Sequence, residues 1–561
     1  MRIKCVHIEN FRSIKLLDFT PSNYCVLVGE NNAGKSNILK AINLVLGETW
    51  PSERSFSQED FYKQDTQNDI VIQVFFDEVF EEYRNNCKCA VAGFELRCKA
   101  YKRRVGSKPA GSLKVEYCAI DSKGKICEYP SVPYQKGEKN SSPRYPLSIS
   151  RDLRERVPFI YVDVLRDYSK QDPGSRWSIL RKLFTDINTS IASDKTKIKV
   201  TTSEGEVLVT RKEAFELKIR EAYGYLKTDE FNDIEQRIRR NSLQQMGLKE
   251  EEGDISIRFD TYDPMNVFKN LQLFIEQMGI STTADMVGAG LQSAIVIAIF
   301  RTYEEIKKGG AIFAIEEPEV FLHPQKQRFF RNVLCKLSED NQVFLTTHSP
   351  TFIRIYEPEY VCIIRKTPQE GTTAKICEKD ELVSREKDVL KIENYFDNQR
   401  NEMFFARGVV FVEGSTEKFV FPYASRKQGI DLDRYGISVI ECGGKGNLRI
   451  FAKIAHAFSI PFVIVVDSDI IDTTRIKDEA KRKIAVANNK ENAEKNKGIQ
   501  SCTDSTDIFW MSSNIEVVLG INERSENKIQ NALDAIKGME EIPVDIMRPL
   551  QRILEMVNTE V

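Results

Sequence analysis

The stretch Gly29-Glu30-Asn31-Asn32-Ala33-Gly34-Lys35-Ser36 fits the pattern G-x-x-x-x-G-K-[ST] of a phosphate-binding loop. The apolar run from Tyr24 to Val28 predicts a buried strand before it, and the apolar spacing from Asn37 to Leu46 predicts a helix after it. Glycines let backbone N–H groups point at phosphates, and the helix N-terminus adds partial positive charge. The alternative is a glycine turn before an ordinary helix, which the motifs further along the chain disfavour.

The loop predicts a site for ATP and its magnesium ion. Lys35 is expected to reach the β- and γ-phosphates, and Ser36 is expected to bind Mg²⁺. The other loop residues expected to line the nucleotide are Asn31, Asn32, Gly34 and Asn37.

Length and composition limit the class of protein. The 561 residues allow three or four domains of about 150 residues. The formal net charge of −2 confines any nucleic-acid surface to a local patch. Without an apolar run of about 18 residues or a secretory start, we expect neither a membrane span nor export. Twelve cysteines without a paired C-x-x-C pattern favour reduced thiols in a cytoplasmic protein over disulfides or zinc.

A second nucleotide motif lies in the middle of the chain. The apolar run from Ala311 to Ile315 predicts a parallel strand that ends in Glu316 and Glu317, where α/β sheets bind ligands. Glu316 is expected to hold Mg²⁺, and Glu317 is expected to orient or deprotonate the attacking water. Two buried acids at ~5 Å and an effective dielectric of about 20 repel by about 3 kcal/mol. A bound cation removes this cost.

The opening of the chain carries a resemblance to a known class. Ile8-Glu9-Asn10-Phe11-Arg12-Ser13 ahead of a phosphate loop resembles RecF- and SMC-type ATPases of the ABC class. The resemblance implies that Arg12 lies near the nucleotide, although a solvated turn arginine is an equal alternative. It also implies that His348, after the strand from Val343 to Thr347, contacts the γ-phosphate. Gln73 is a weaker candidate for a Mg²⁺-sensing glutamine, with a structural role as the favoured alternative.

A glycine-rich turn before the apolar helix from Ala294 to Tyr303 predicts a second anion site. The resemblance implies that this turn, with Gly288, Gly290 and Gln292, caps the γ-phosphate held by another subunit. The turn departs from the usual Ser-Gly-Gly-Gln, which leaves the capping residue open.

The last third of the chain predicts a cluster of carboxylates. The apolar run from Val409 to Val412 ends at Glu413-Gly414, and a helix with Glu417 follows. A second very apolar run ends in Asp467-Ser468-Asp469. Because the ends of parallel strands lie side by side, Glu413, Asp467 and Asp469 are expected to converge. An all-oxygen cluster suits Mg²⁺ or Mn²⁺ rather than zinc.

This arrangement resembles the Toprim domain. A topoisomerase requires a tyrosine on a winged-helix module and a primase requires a zinc-binding segment, and the sequence shows neither. An ABC-type ATPase followed by Toprim resembles the OLD (overcoming lysogenisation defect) family of ATP-dependent endonucleases over nearly the whole chain. The resemblance implies two metals per site, with Asp467 and Asp469 mainly on one ion. It places Glu417 and Glu516 mainly on the other, with Glu413 between them and Lys528 steadying the transition-state charge.

The family resemblance also implies DNA as the substrate, a homodimer or higher homo-oligomer, and a role in phage defence. It leaves two partners open, a retron reverse transcriptase with its msDNA and a UvrD-like helicase. The rival hypothesis is an ATPase clamp or scaffold whose Toprim unit binds metal and DNA without cutting. From Arg475 to Lys497 the chain carries eight Lys/Arg and four Asp/Glu, and we expect either a basic flap or a solvated helix.

The predicted fold is α/β, an ABC-type (RecF/SMC-like) ATPase head with a helical insert, followed by a Toprim domain with a parallel sheet. Residues 1–168 form the N-terminal part of the ATPase and residues 169–262 a helical dimerisation insert. Residues 263–395 form the C-terminal part of the ATPase and residues 396–561 the Toprim nuclease domain. The predicted function is an ATP-regulated, metal-dependent DNA endonuclease or nickase.

Overall fold

The computed structural model describes most of the chain in ranges separated by gaps. These ranges are 1–102, 109–131, 143–164, 173–175, 178–202, 205–245, 263–307, 310–353, 358–377, 398–467, 473, 478–501, 503–512, 514–522 and 526–559. Of the residues predicted to form the functional sites, Asp469 lies outside them. No helix in the described ranges is long and apolar enough to cross a membrane.

The strands are β1 (Ile3–Phe11), β2 (Ile14–Phe19), β3 (Tyr24–Val28), β4 (Ile70–Arg84), β5 (Cys87–Ala100), β6 (Leu113–Ile120), β7 (Glu128–Pro130), β8 (Arg144–Pro146), β9 (Phe159–Val162), β10 (Lys197–Thr202), β11 (Gly205–Thr210), β12 (Phe274–Gln277), β13 (Ile280–Thr283), β14 (Ile312–Glu316), β15 (Gln342–Thr346), β16 (Val361–Thr367), β17 (Gly371–Ile376), β18 (Gly408–Val412), β19 (Ile437–Glu441), β20 (Phe462–Asp467) and β21 (Ile508–Met511).

The α-helices are α1 (Lys35–Leu46), α2 (Arg151–Glu155), α3 (Ile179–Ser193), α4 (Arg211–Gly224), α5 (Asp229–Gln245), α6 (Pro264–Phe268), α7 (Ala289–Lys307), α8 (Pro324–Asp340), α9 (Ser415–Lys427), α10 (Lys445–Ala457), α11 (Glu479–Gln500), α12 (Ile515–Val518), α13 (Lys528–Gly538) and α14 (Val544–Thr559).

The largest sheet has eleven strands in the order β6-β5-β4-β1-β2-β17-β16-β3-β15-β14-β9. Its half from β16 to β9 is parallel, and the other half is antiparallel. Strands β3, β14 and β15 are buried along their whole length, as their continuous apolar sequences require of strands covered on both faces. Because these three strands run in the same direction, their carboxyl ends meet at one edge. The phosphate loop and the two central acids therefore lie at that edge.

A second, four-stranded parallel sheet has the order β19-β18-β20-β21. Helix α14 packs on β18 and β20 through four buried residues at helical spacing, Ile546, Leu550, Ile553 and Val557. Gly408 permits this approach, because a Cβ there would lie 2.6 Å from Cγ2 of Val557. The sheet confirms the parallel α/β fold expected for the C-terminal third.

The chain separates into two units by its internal contacts, Met1–Val164 with Gly309–Val561, and Leu165–Lys308. The second unit contains helices α3 to α7, of which α3 to α5 lie within the range predicted as a helical insert. It also contains two antiparallel hairpins, β10–β11 and β12–β13, which the sequence prediction did not include. The rings of Phe184 and Phe268 stack 5.3 Å apart and join α3 to α6. The predicted α/β fold class, with a second parallel sheet in the C-terminal third, is confirmed.

Candidate functional site

The phosphate loop has a strained conformation that only glycine accommodates at its sixth position. Gly34 has a φ of +110°, and a Cβ there would lie 2.3 Å from Oγ1 of Thr372 and 2.8 Å from Oγ of Ser13. The next residue begins helix α1, whose first backbone N–H groups have no partner within the helix. The loop therefore presents backbone donors and a helix N-terminus to an anion.

Lys35 lies inside the loop with its ammonium group bonded to the backbone. Its Nζ donates to the carbonyl oxygens of Gly29 and Glu30, each at 2.9 Å, and the residue is buried. Burial lowers the pKa of Lys35 to about 8, against the opposing charges of Glu317, Glu319 and Glu30. The Lys35 ammonium is thus bonded to the loop backbone and lies near the carboxylates of Glu317, Glu319 and Glu30.

The other predicted nucleotide residues surround this lysine. Asn31 and Asn32 are exposed on the loop, and Ser36 is half-buried in the first turn of α1. Nδ2 of Asn37 donates to Oγ of Ser13 at 2.8 Å. Arg12 extends toward the same helix start, 3.5 Å from Oδ1 of Asn37, and forms an ion pair of 2.8 Å with Asp60. Arg12 is therefore adjacent to the loop and is held there by an acid.

A buried threonine, Thr372, for which no sequence motif predicts a role, is hydrogen-bonded to the phosphate loop. Oγ1 of Thr372 donates to the carbonyl of Ala33 at 2.8 Å and lies 2.8 Å from Oγ of Ser13. Thr372 is fully buried at the start of β17, more than 300 residues from the loop in sequence. The opening segment, the loop and β17 thus form one hydrogen-bonded unit.

The two central acids differ in their surroundings. Glu316 is buried at the end of β14, and the hydroxyl of Tyr161 on β9 is hydrogen-bonded to it. Burial, and next the charge of Glu316, raise the pKa of Tyr161. The backbone N–H of Glu317 donates to the carbonyl of Thr346 at 2.9 Å, with Glu317 itself at a positive φ of 42°. Glu317 is therefore turned out of the sheet, toward Lys35.

His348 lies on the same side of the loop. Burial, and next the charge of Lys35, lower its pKa, and Glu317 opposes the shift. Its backbone N–H donates to Oε1 of Glu319 at 2.5 Å, and Oγ1 of Thr347 donates to Oε2 at 2.8 Å. Burial raises the pKa of Glu319. Glu319, for which no sequence motif predicts a role, therefore connects the loop of His348 to the segment after β14 by two hydrogen bonds.

The turn with Gly288, Gly290 and Gln292 belongs to the second unit and precedes α7. Nε2 of Gln292 donates to the carbonyls of Asp285 and Val287, at 2.8 and 3.0 Å. The amide thus stabilises its own turn, and its role toward phosphate stays a prediction. Gln73 on β4 donates to Glu95 at 2.6 Å, in agreement with a structural role.

The second sheet brings predicted acids together at the carboxyl ends of its strands. Glu413 follows β18, and its Oε1 accepts the backbone N–H of Asp467 at the end of β20, at 3.0 Å. The backbone N–H of Gly444, in the turn after β19, donates to the carbonyl of Glu413 at 2.8 Å. Three strand ends therefore meet around Glu413.

Two further acids lie at the same edge. Glu417 in the first turn of α9 and Glu516 in α12 are both buried. Burial raises the pKa of Glu417, and the charges of Glu516 and Glu441 add to the effect. Nζ of Lys528, the first residue of α13, lies 3.3 Å from Oε1 of Glu516. Lys528 therefore contacts Glu516, the acid that is predicted to bind the second metal ion.

These residues suit a hard divalent cation by their chemistry. The donors are carboxylates that share one strand edge, and the repulsion felt by Glu417 is the kind that a cation removes. Within the described ranges no three His, Cys, Asp or Glu side chains already stand as a metal-holding group. Asp469, which is predicted to complete the set, lies outside those ranges.

Lys445 is a further residue of this edge. It begins α10, is buried, and its Nζ donates to the backbone carbonyl of Asp467. Its neighbours Gly443, Gly444 and Gly446 make this a glycine-rich turn, a pattern that predicts no role for the lysine. The basic stretch after Asp469 contains α11, whose residues are mostly exposed.

Within the first unit, the segment before β18 contacts the nucleotide site. Nε of Arg407, directly before β18, lies 3.3 Å from Oε1 of Glu30 in the phosphate loop. Nδ2 of Asn401 donates to the carbonyl of Pro350 at 3.2 Å, and Nδ2 of Asn398 donates to Oγ1 of Thr351 at 3.1 Å. The segment that leads into the second sheet therefore contacts the phosphate loop and the loop after His348.

Comparisons with known proteins match both sites. Residues 1–140 and 157–353 match the AAA ATPase domain family. Residues 404–469 match the family described as "Overcoming lysogenization defect protein-like, TOPRIM domain". The second match spans Glu413, Glu417, Asp467 and Asp469.

Three relatives are similar over most of their length. An "OLD nuclease" of Thermus scotoductus is 28% identical over 99% of both chains. An "Old nuclease" of Escherichia phage P2 is 25% identical over 84% of this chain and 78% of its own. An "Endonuclease GajA" of Bacillus cereus is 22% identical over 84% of this chain and 75% of its own.

Proposed function

The chain belongs to the OLD family, with an AAA ATPase domain joined to a Toprim domain, and from this we propose that it is an ATP-regulated, divalent-metal-dependent DNA endonuclease or nickase. We further propose that it serves in anti-phage defence. The names of its relatives support nuclease activity, and the paired ATPase and Toprim matches support the use of nucleotide and divalent metal.

The observation that carries the proposal is the meeting of acids at one edge of the second sheet. The carboxylate of Glu413 accepts the backbone N–H of Asp467, and the pKa of Glu417 is raised by burial and by the charge of Glu516. These side chains come from the ends of four elements, β18, α9, β20 and α12, that are separated by up to about a hundred residues of chain. A solvated acidic loop, the ordinary alternative, would not bury two of its carboxylates.

We assign the residues as follows. Asp467, with Asp469, holds mainly one metal ion, Glu417 and Glu516 hold mainly the other, and Glu413 lies between them. Bound Mg²⁺ or Mn²⁺ would activate water and stabilise the leaving oxygen of a phosphodiester. Lys528 places an ammonium beside Glu516, where it can steady negative charge on the phosphate as the bond breaks.

In the ATPase domain, Lys35 exchanges its backbone acceptors for the β- and γ-phosphates when ATP binds, and Ser36 and Glu316 hold Mg²⁺. Glu317 orients or deprotonates the attacking water, and His348 contacts the γ-phosphate, with Arg12 adjacent. The loop residues Asn31, Asn32, Gly34 and Asn37 complete the pocket. Gly288, Gly290 and Gln292 cap the phosphate of a second copy, which makes a homodimer or higher oligomer the working form.

Coupling between the sites has a direct route within one chain. Arg407 pairs with Glu30 of the phosphate loop and directly precedes β18, whose other end carries Glu413. Nucleotide in the loop therefore acts on the element that supports the acidic centre. The nucleic-acid partner is DNA, and a retron reverse transcriptase with its msDNA or a UvrD-like helicase remains the expected protein partner.

Plasmid cleavage with Mg²⁺ or Mn²⁺ tests the proposal. The parent should nick or linearise supercoiled plasmid, and Glu413→Ala should lose this activity while Glu540→Ala, an exposed acid of the same domain, keeps it. Equal cleavage by the parent and Glu413→Ala would reject the assigned centre. A parent that cuts no DNA with either metal, with or without ATP, would favour an ATPase clamp that binds DNA without cutting.

A further inference from the structure

Strand β20 is paired with its two neighbouring strands over different lengths. Strand β18 pairs with β20 only as far as Phe411 opposite Ile464. Beyond that point the chain of β18 turns away through Gly414 into α9. On its other side β20 stays paired with β21 as far as Asp467 opposite Met511. The backbone of Asp467 therefore has no strand beside it on the β18 side, although buried backbone groups need partners.

Two side chains take the place of the missing strand. The carboxylate of Glu413 accepts the N–H of Asp467 at 3.0 Å, and the ammonium of Lys445 donates to the carbonyl oxygen of the same residue. One residue is thus held at both of its backbone polar groups, by an acid on one and a cation on the other. The second of these bonds fixes the carbonyl of Asp467, the last residue of β20.

Lys445 is itself held from several directions. It is the first residue of α10, after a turn in which Gly443 and Gly444 both have positive φ. The N–H of Gly444 is bonded to the carbonyl of Glu413, and Nδ2 of Asn447 donates to the carbonyls of Cys442 and Gly443. The turn is therefore anchored to the end of β18, and the side chain that leaves it has a defined origin.

The ammonium also faces an aromatic ring. Nζ of Lys445 lies 5.8 Å from the centre of the Trp510 ring on β21, within the range of a cation–π interaction. Lys445 is 7% exposed, and a buried ammonium requires such partners and nearby negative charge. Lysine suits this position because its compact ammonium carries three donors on a long, flexible stem.

We propose that Lys445 is a positioning residue of the metal centre, which holds the backbone of Asp467 in place. The proposal rests on the proposed function, since it assigns the residue to the same carboxylate centre. Lys445 does not bind the metal, because an ammonium has no free electron pair. Its loss should therefore weaken metal binding and leave the chemical step, once metal is saturating, close to that of the parent.

Titration of nucleotide-free and DNA-free protein with Mn²⁺, followed by electron paramagnetic resonance of the free ion, measures this directly. Lys445→Met keeps the stem and removes the ammonium, and we expect it to bind Mn²⁺ about 10- to 100-fold more weakly, the usual effect of losing an outer-shell partner. Lys453→Met, the same substitution two turns along α10, is the matched control and should bind like the parent. ATP hydrolysis and thermal unfolding report whether each variant is folded.

Cleavage kinetics add a second readout that a general loss of structure would not reproduce. The Mn²⁺ concentration for half-maximal cleavage should rise in Lys445→Met by the same factor as the dissociation constant, with the maximal rate within a few-fold of the parent. Unchanged Mn²⁺ binding in a folded Lys445→Met protein would overturn the proposal. A fall in the maximal rate with unchanged metal affinity would also overturn it and would indicate contact with the phosphate instead.

A second variant covers the case in which Lys445→Met does not fold. Trp510→Leu removes the ring beneath the ammonium, and we expect Mn²⁺ binding about 2- to 5-fold weaker, the lower end of what a cation–π contact contributes, because the bond from Lys445 to Asp467 remains. Unchanged binding in this variant would overturn the proposal.

The outcomes separate this inference from the proposed nuclease function. Weaker Mn²⁺ binding in Lys445→Met, in a parent that binds Mn²⁺ but cuts no DNA, would support the inference and reject the function. A parent that cuts DNA, with Lys445→Met binding metal as the parent does, would reject the inference alone. A parent that binds no Mn²⁺ would reject both.

Discussion

The nucleotide site and the acidic centre are built from different parts of the polypeptide. In the nucleotide site one contiguous loop provides most of the donors, and buried side chains such as Thr372 hold that loop in place. In the acidic centre almost every functional atom belongs to a side chain, and each side chain comes from a different strand or helix end. The first site depends on the conformation of one loop, whereas the second depends on the register of a whole sheet.

The electrostatics of the two sites are opposite. In the nucleotide site, burial lowers the pKa of Lys35, which we propose binds the phosphates. In the acidic centre, burial and neighbouring acids raise the pKa of Glu417, which we propose binds a cation. Each site is therefore destabilised by its own charge when empty, and each gains from the ligand of opposite sign.

The largest expected effect separates the sites completely. Lys35→Ala should reduce ATP hydrolysis by at least about 100-fold, because it removes a buried cation from developing phosphate charge. Mn²⁺ binding at the acidic centre, measured without nucleotide, should stay at the parent value. Lys40→Ala, an exposed lysine of the same helix, serves as the control in a phosphate-release assay. Lys35→Ala protein that still hydrolyses ATP at the parent rate would reject the assignment of Lys35 to the nucleotide site.

A smaller effect tests whether the loop depends on its support. Thr372→Val keeps the shape of the side chain and leaves the carbonyl of Ala33 without its donor. We expect the free energy of unfolding to fall by about 1–3 kcal/mol, the usual cost of an unsatisfied buried group. Urea unfolding measures it, with Thr373→Val as the neighbouring control. Equal stability of the two variants would show that the loop does not need this contact.

A still smaller effect probes the contact between the phosphate loop and the start of β18. Arg407→Glu reverses one charge of the pair with Glu30, and we expect the change in cleavage rate caused by ATP to decrease by up to about five-fold. The double variant Glu30→Arg/Arg407→Glu restores opposite charges and should recover most of the ATP effect. An ATP effect that is identical in parent and both variants would remove this contact from the coupling route.

The smallest expected effect is the number of protons that the protein takes up when it binds ATP. With a pKa of about 8, Lys35 is about half neutral at pH 8 without nucleotide, and phosphate charge raises that pKa when ATP binds. Binding at pH 8 should therefore take up about half a proton, and binding at pH 7 about a tenth. Calorimetry in buffers of different ionisation enthalpy measures the uptake, in His348→Ala protein so that the histidine does not contribute. Proton release, or equal uptake at the two pH values, would contradict the lowered pKa.

Sequence predicted the two sites to different depths for a physical reason. The phosphate loop and the acids Glu316 and Glu317 are contiguous, so their spacing in sequence is their spacing in space. Lys528 and Glu516 are predictable only by family resemblance, because the 3.3 Å between them depends on how α12 and α13 pack. Thr372, Glu319 and Lys445 had no signal of their own, since each acts through a backbone atom that lies far away in sequence.

One missed element was detectable. Lys197–Thr202 begins with alternating polar and apolar residues, Gly205–Thr210 contains the apolar run Val207-Leu208-Val209, and the two segments form the hairpin β10–β11. The charged helices on either side of them masked this pattern, so the insert was predicted as helical alone. The domain boundaries within this region stay a prediction.

The central claim is that separated carboxylates meet around divalent ions at the edge of the second sheet. The most direct test is a crystal structure of the protein grown with Mn²⁺, with data collected at the manganese absorption edge. The account predicts anomalous density among the side chains of Glu413, Glu417, Asp467 and Glu516, with Asp469 drawn into the same group. Manganese bound only elsewhere, with these carboxylates turned apart, would contradict it.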